Sequence, residues 1–164
     1  MLISNFDILL NLLVAVCLGG LLGLERTFAG KIAGMRTYAL VSMGSALFVI
    51  ISVMADTLYF GAVNADPLRM VSQIIVGIGF IGAGLVWHRS SKITGVTTAA
   101  GLWISAGVGM ASGFGFFALA GMVTILSLLV FTLMWYFEKK MKRFSYNDNG
   151  ESDEEGDSLG GNKD

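Results

Sequence analysis

Five stretches of this chain are each long and apolar enough to cross a lipid bilayer: residues 8–24, 37–54, 70–87, 95–111 and 114–137. A spanning helix needs roughly 20 apolar residues, about 17 at the short end, and must satisfy its own backbone hydrogen bonds because hydrocarbon offers none. The charges collect in the breaks between these runs. Glu25, Arg26, Lys31 and Arg36 lie in the first, Asp56, Asp66 and Arg69 in the second, and His88, Arg89 and Lys92 in the third. The fourth break, around Ser112 and Gly113, is a tight uncharged turn. Only 14% of residues are charged, against about 25% in soluble domains. The expected fold class is therefore all-α: a polytopic integral membrane protein with five transmembrane helices over residues 1–144.

Lys and Arg are distributed unevenly between the two sides of such a bundle. The first and third breaks, with the stretch after the fifth run, hold nine of the ten basic residues before position 145, and Arg69 is the other. The positive-inside rule then places the N-terminus outside and the C-terminus in the cytoplasm. No Lys or Arg precedes the first run, so it is expected to insert and stay rather than serve as a cleaved signal peptide. Trp135, Tyr136 and Phe137 beside the basic residues 139–143 form an interfacial anchor. Beyond them, residues 145–164 carry seven acids and one Lys. Such a segment cannot bury enough surface to offset its ordering entropy, and it is expected to be a disordered acidic cytoplasmic tail.

The chemical inventory is narrow. One Cys and one His exclude an internal disulfide and zinc-finger spacing. No two carboxylates sit at acid/base spacing within the membrane runs, so no catalytic residue, metal ligand set or cofactor is expected, nor any nucleic-acid partner. The tail fails as a calcium loop, with Ser145 and Gly156 at the positions that need an acid. Gly77-Ile78-Gly79-Phe80-Ile81-Gly82 spells a dinucleotide fingerprint but lies inside a membrane run with no acid downstream before the next. Gly77, Gly79, Gly82 and Gly84 are expected instead to let helices pack closely, as are Gly19 and Gly23, and Gly101, Gly107 and Gly109.

Polar residues near the membrane ends are the sharper candidates, because they are costly unless paired. Glu25 closes the first run and Arg36 opens the second, each against the sign of the local helix dipole. Two readings stand, a solvated ion pair of little worth or a packed Glu25–Arg36 pair that fixes a cytoplasmic binding surface, with Arg26 ready to pair with Glu25 or lipid phosphate. Asp66 and Pro67 suit the N-cap and first position of a helix. Arg69 and Gln73, four residues apart, share one face of that helix. Thr97 and Thr98 open the fourth run with Trp103 below, and threonine hydroxyls there can bond back to the preceding turn. His88 reads as an interfacial ring and Cys17 as a small buried hydrophobe.

In order along the chain stand Glu25-Arg26, Ala33-Gly34-Met35-Arg36-Thr37-Tyr38-Ala39-Leu40-Val41, Asp66-Pro67-Leu68-Arg69, Gly77-Ile78-Gly79-Phe80-Ile81-Gly82-Ala83-Gly84 and Thr97-Thr98-Ala99-Ala100-Gly101-Leu102-Trp103. Over residues 12–115 this series resembles the transmembrane domain of the MgtC/SapB family of bacterial inner-membrane proteins. Tyr38 stands where many members carry His. Longer members add a cytoplasmic ACT-like domain, in whose place this chain has its acidic tail. The resemblance implies a multi-pass protein of the bacterial inner membrane with a role in magnesium homeostasis or adaptation to low magnesium or acid. In virulence-associated members it implies restraint of the F-type ATP synthase.

Three functions remain open on the sequence, with the lipid bilayer, another membrane complex and a homo-oligomer as the expected partners. One is a non-enzymatic regulator that binds another membrane complex through its Gly-rich faces and cytoplasmic basic loops. Another is a transporter of Mg2+, another cation or a small solute, with Asp66, Arg69, Gln73 and Glu25 along its path, and the third is a purely structural membrane scaffold.

Overall fold

The computed structural model describes residues 4–59, 67–89 and 92–157. Five helices, α1 (Asn5–Phe28), α2 (Met35–Tyr59), α3 (Pro67–Leu85), α4 (Val96–Gly113) and α5 (Phe117–Asp157), carry nearly all of it. Two short strands, β1 (Trp87–Arg89) and β2 (Lys92–Thr94), pair antiparallel between α3 and α4, with Trp87 opposite Thr94 and His88 opposite Ile93. The all-α expectation thus holds apart from this hairpin in the third break. The chain divides into two compact units, Met1–Leu128 and Leu129–Asp164.

Local chemistry explains the ends of the helices. Ser4 Oγ accepts the Phe6 N–H at 3.3 Å, and the Asp7 carboxylate accepts the Ser4 N–H at 3.2 Å, closing a capping box at the start of α1. At its far end Gly30 adopts φ +63°, a conformation glycine alone takes without strain. This lets the Lys31 N–H reach back to the Arg26 carbonyl at 3.0 Å. Thr27 then ties α1 to α2: its hydroxyl donates to the Gly23 carbonyl and accepts the Met35 N–H, both at 3.0 Å. A hydroxyl from the preceding helix thereby supplies a partner for one of the free N–H groups at the start of α2.

Four helices, Asn5–Phe28, Met35–Thr57, Leu68–Leu85 and Phe117–Phe137, are long and apolar enough to cross a membrane. Helix α4 falls short in apolarity for a physical reason. It packs against α1, α2 and α3, and Thr98, Ser105, Ser112 and three glycines lie on its buried positions. Its polar and small residues meet protein, where lipid-facing apolarity is not required. Within the second unit, residues 129–157 are helical. The acidic segment expected to be disordered from residue 145 is therefore helical as far as Asp157. A helix already formed extends without a new nucleation cost, and no proline interrupts this one. Residues 158–164 lie outside the described residues.

The core of the first unit is the contact among α1, α2 and α4, and glycine sets its closeness. A Cβ at Gly23 would stand 2.6 Å from the Met35 Cα, and one at Gly19 would stand 2.9 Å from the Tyr38 carbonyl oxygen. A Cβ at Gly109 would collide with the Ser42 carbonyl, and one at Gly113 would lie 2.8 Å from the Ala46 carbonyl oxygen. The expected close approach thus falls at Gly19, Gly23 and Gly109. Gly77, Gly79, Gly84 and Gly107, by contrast, face open space, and Gly82 makes only an ordinary contact with Ala99. The glycines of α3 accordingly do not mediate close helix packing among the described residues, because α3 meets its neighbours through other positions.

This arrangement makes a paired prediction. Gly109→Ala should destabilise the protein by about 1–3 kcal/mol, the usual cost of overpacking. Gly107→Ala, two residues away with room for its methyl group, should be neutral or slightly stabilising through helix propensity. Thermal unfolding of the two variants in the same detergent separates them.

Candidate functional site

The polar side chains that α1, α2 and α4 carry inward meet near the α1–α2 turn. Arg26, in the last turn of α1, is buried, and its Nη1 lies 3.4 Å from Glu25 Oε2. Glu25 keeps about a fifth of its side chain exposed. Tyr38, one turn into α2, is fully buried and donates its hydroxyl to the Thr98 carbonyl of α4 at 3.2 Å. It packs against Gly23, one turn before Arg26, where a Cβ would stand 2.8 Å from the Tyr38 Cβ. Four residues from three helices thus form one cluster, with an ion pair opening towards solvent and a neutral hydrogen bond closing it from inside.

Two further bonds run down the same seam. Ser105 Oγ donates to the Tyr38 carbonyl at 2.9 Å, and Asn11 Nδ2 donates to the Gly113 carbonyl at 3.1 Å, both buried. Each joins a side chain of one helix to the backbone of another, so each fixes the axial register of a pair. Ser42, fully buried between Gly19 and Gly109, has a hydroxyl with no hydrogen-bond partner among the described residues. The carbonyl one turn back, that of Tyr38, already receives Ser105.

The structure sorts the expected residues into three groups. Glu25, Arg26 and Thr98 come together. Arg36, Thr37 and Thr97 are exposed around them. The packed Glu25–Arg36 pair is not formed, because Glu25 engages its sequence neighbour Arg26 while Arg36 points outward. Arg69 and Gln73 lie on the exposed surface of α3, and Trp103 on that of α4. Asp66 lies outside the described residues, so its capping of α3 does as well. Cys17 is exposed rather than buried, since α1 turns Ala15, Gly19 and Leu22 inward and not this position. The side chain of His88 is not described.

Sequence reading passed over Asn11, Ser42, Ser105 and the structural role of Tyr38. A signal was present. Tyr38, Ser42 and Ser45 on α2, and Thr98, Ser105, Gly109 and Ser112 on α4, recur at intervals of three, four or seven residues. That spacing marks one face of a helix.

A groove of about 500 Å3 separates α2 from α3, walled by Val41, Gly44 and Ser45 on one side and Met70, Gln73 and Gly77 on the other. Among the described residues no three His, Cys, Asp or Glu side chains gather as a metal site would require.

The sequence profile of the MgtC family matches residues 12–140. The chain belongs to the MgtC family. It is 38% identical over 143 residues to YhiD of Escherichia coli strain K12, whose name proposes a magnesium transporter; the match covers 86% of this chain and 66% of YhiD. It is 37% identical over 146 residues to the protein MgtC of Salmonella typhimurium strain LT2, covering 89% of this chain and 60% of that protein. An uncharacterized protein of Haemophilus influenzae is 36% identical over 142 residues. The chain therefore spans about two thirds or less of the length of these relatives. No solved structure matches it. With its apolar helices, membership supports a membrane protein.

The cluster generates a test of its own. Tyr38→Phe removes only the hydroxyl and strands no charge, so it should cost about 1 kcal/mol. Arg26→Met leaves Glu25 without its partner and should cost more, about 1–3 kcal/mol. Tyr136→Phe, at an exposed site, should cost nothing measurable. Denaturation of the three variants in detergent, referred to the unsubstituted protein, gives the order.

Proposed function

We propose that this MgtC-family chain is a non-enzymatic regulator in magnesium homeostasis or in adaptation to low magnesium or acid. It acts by binding another complex of the bacterial inner membrane, such as the F-type ATP synthase. All five helices cross that membrane, with the N-terminus outside and the C-terminus in the cytoplasm. The 18-residue α4, about 27 Å long at 1.5 Å per residue, comes close to the hydrocarbon thickness.

The observation that carries this reading is the closure of the polar interior. Arg26 meets Glu25, Tyr38 meets Thr98, Ser105 meets Tyr38 and Asn11 meets Gly113. Between these bonds the glycines bring backbone against backbone. A permeation path needs oxygen ligands spaced along an open channel, since Mg2+ sheds water reluctantly. Here the acid best placed for that task, Glu25, is occupied by Arg26, while Arg69 and Gln73 stand on an outer face of α3. What α3 and α5 leave open is apolar surface, with Phe80, Leu126 and Val130 largely exposed. Such surface suits lipid or a partner's helices.

Transport of Mg2+ is the second reading, and the name of YhiD favours it. Proteoliposomes holding the purified chain and a magnesium-sensitive dye decide between the two. The regulatory reading expects influx no faster than in protein-free vesicles. Influx that falls with Asp66→Asn or Glu25→Gln would replace it with the transporter. In native membranes, crosslinking should recover the chain with subunits of a larger membrane complex, and recovery of the chain alone would count against the reading.

A further inference from the structure

The groove between α2 and α3 holds two polar side chains that the closed interior does not use. Ser45 is only 3% exposed yet reaches the groove wall, and Gln73 faces it from α3. Neither has a hydrogen-bond partner among the described residues. In a bilayer this is costly, because lipid chains can satisfy neither an amide nor a hydroxyl. The surrounding wall is shaped for close approach: Gly44 and Gly77 both have open space where a Cβ would stand.

The exposed face of α3 extends the same surface. Met70, Gln73, Gly77, Phe80 and Gly84 are all exposed and follow one another at intervals of three and four. That is the spacing of a helix seam that meets another helix along its length. Small residues that admit a backbone, with a Gln or Ser that bonds across, are the features of helix association in membranes.

We infer that this face is the contact between two copies of the chain. They are related by a two-fold axis normal to the membrane, with α3 of each seated at the α2–α3 groove of the other and Gln73 of each copy paired with Ser45 of the partner copy. The occupant must bring both donor and acceptor to the depth of Gln73 and Ser45. A second copy does so by symmetry: the face carries an amide and a hydroxyl at one level, and a two-fold sets each opposite the other. An isologous contact of this kind closes on itself and needs no further partner. The inference is independent of whether the protein regulates or transports.

Disulfide trapping in native membranes tests it, with the full chain and Cys17→Ala as background so that each variant holds one cysteine. Gly77→Cys, on the α3 face that the two-fold axis brings against its own copy and with room for the side chain, should give a band at twice the chain's mass under mild oxidation. Leu13→Cys, on the exposed surface of α1, should not. Adding Gln73→Leu to Gly77→Cys should lower the dimer yield about fivefold, as the loss of two interhelical hydrogen bonds predicts, and Gln73→Asn should restore part of it. Should Gln73→Leu fail to accumulate, Ser45→Ala carries the same comparison. Absence of the dimer band, trapping of a different protein at Gly77→Cys, or a yield indifferent to both Gln73→Leu and Ser45→Ala would each overturn the two-fold contact.

Discussion

The contact of Gly109 with the Ser42 backbone, reinforced by Gly19 and Gly23 from α1, governs the rest of this structure. In water, burial of apolar surface would hold three helices together. In lipid it cannot, since hydrocarbon is as apolar as leucine, and association rests on close packing and interhelical hydrogen bonds. Packing is strongest where backbones touch, and backbones touch only where side chains are missing. With Gly19, Gly109 and Gly113 in place, Asn11 can reach the Gly113 carbonyl, and Ser105 the Tyr38 carbonyl, over about 3 Å. Larger residues at those positions would hold the helices apart and leave both side chains unsatisfied in a medium that offers no substitute.

Because the three helices are brought so close, their polar residues are used up on one another. The consequence is clearest at Arg26. A buried guanidinium at the end of a membrane helix invites a functional reading, yet its near neighbours are Glu25, which shares the same turn, and Tyr38, held in place by Thr98. The ion pair joins neighbouring residues in the last turn of α1, where the chain leaves for the α1–α2 turn. Thr27 reinforces that turn by bonding Gly23 and Met35 at once. Lys31 and Arg36 stand exposed in and beside this first break.

Much of this was legible in the sequence, and the failures share a cause. Apolar runs and the charges between them reveal helices, because bilayer thickness and backbone satisfaction leave one solution. Gly19, Gly23 and Gly109 were legible as packing glycines, since small residues in membrane helices have few other uses. Gly77, Gly79 and Gly84 carry the same signature but look outward, and no single sequence says which face of a helix meets its own chain. The Glu25–Arg36 pairing erred for a related reason: dipole arguments rank charges by helix end, whereas Arg26 had only to turn a side chain to reach Glu25. Ser42, Ser105 and the bonding role of Tyr38 escaped notice because only their shared face on neighbouring helices gives them meaning. The helical course to Asp157 was missed because composition weighs burial and entropy but not the low cost of extending a helix already formed.

The division between used and unused polar groups follows the same logic. Between α1, α2 and α4, Asn11, Tyr38 and Ser105 have each found a backbone partner on a neighbouring helix. On α3 the amide of Gln73 and the glycines beside it have not. Natural membrane sequences place such groups where a helix neighbour will satisfy them, and a helix with room above Gly77 and a polar residue one turn away presents an incomplete half of a contact. In the inferred two-fold contact, that missing half is supplied by the same face of a second copy, which brings an amide and a hydroxyl to one level.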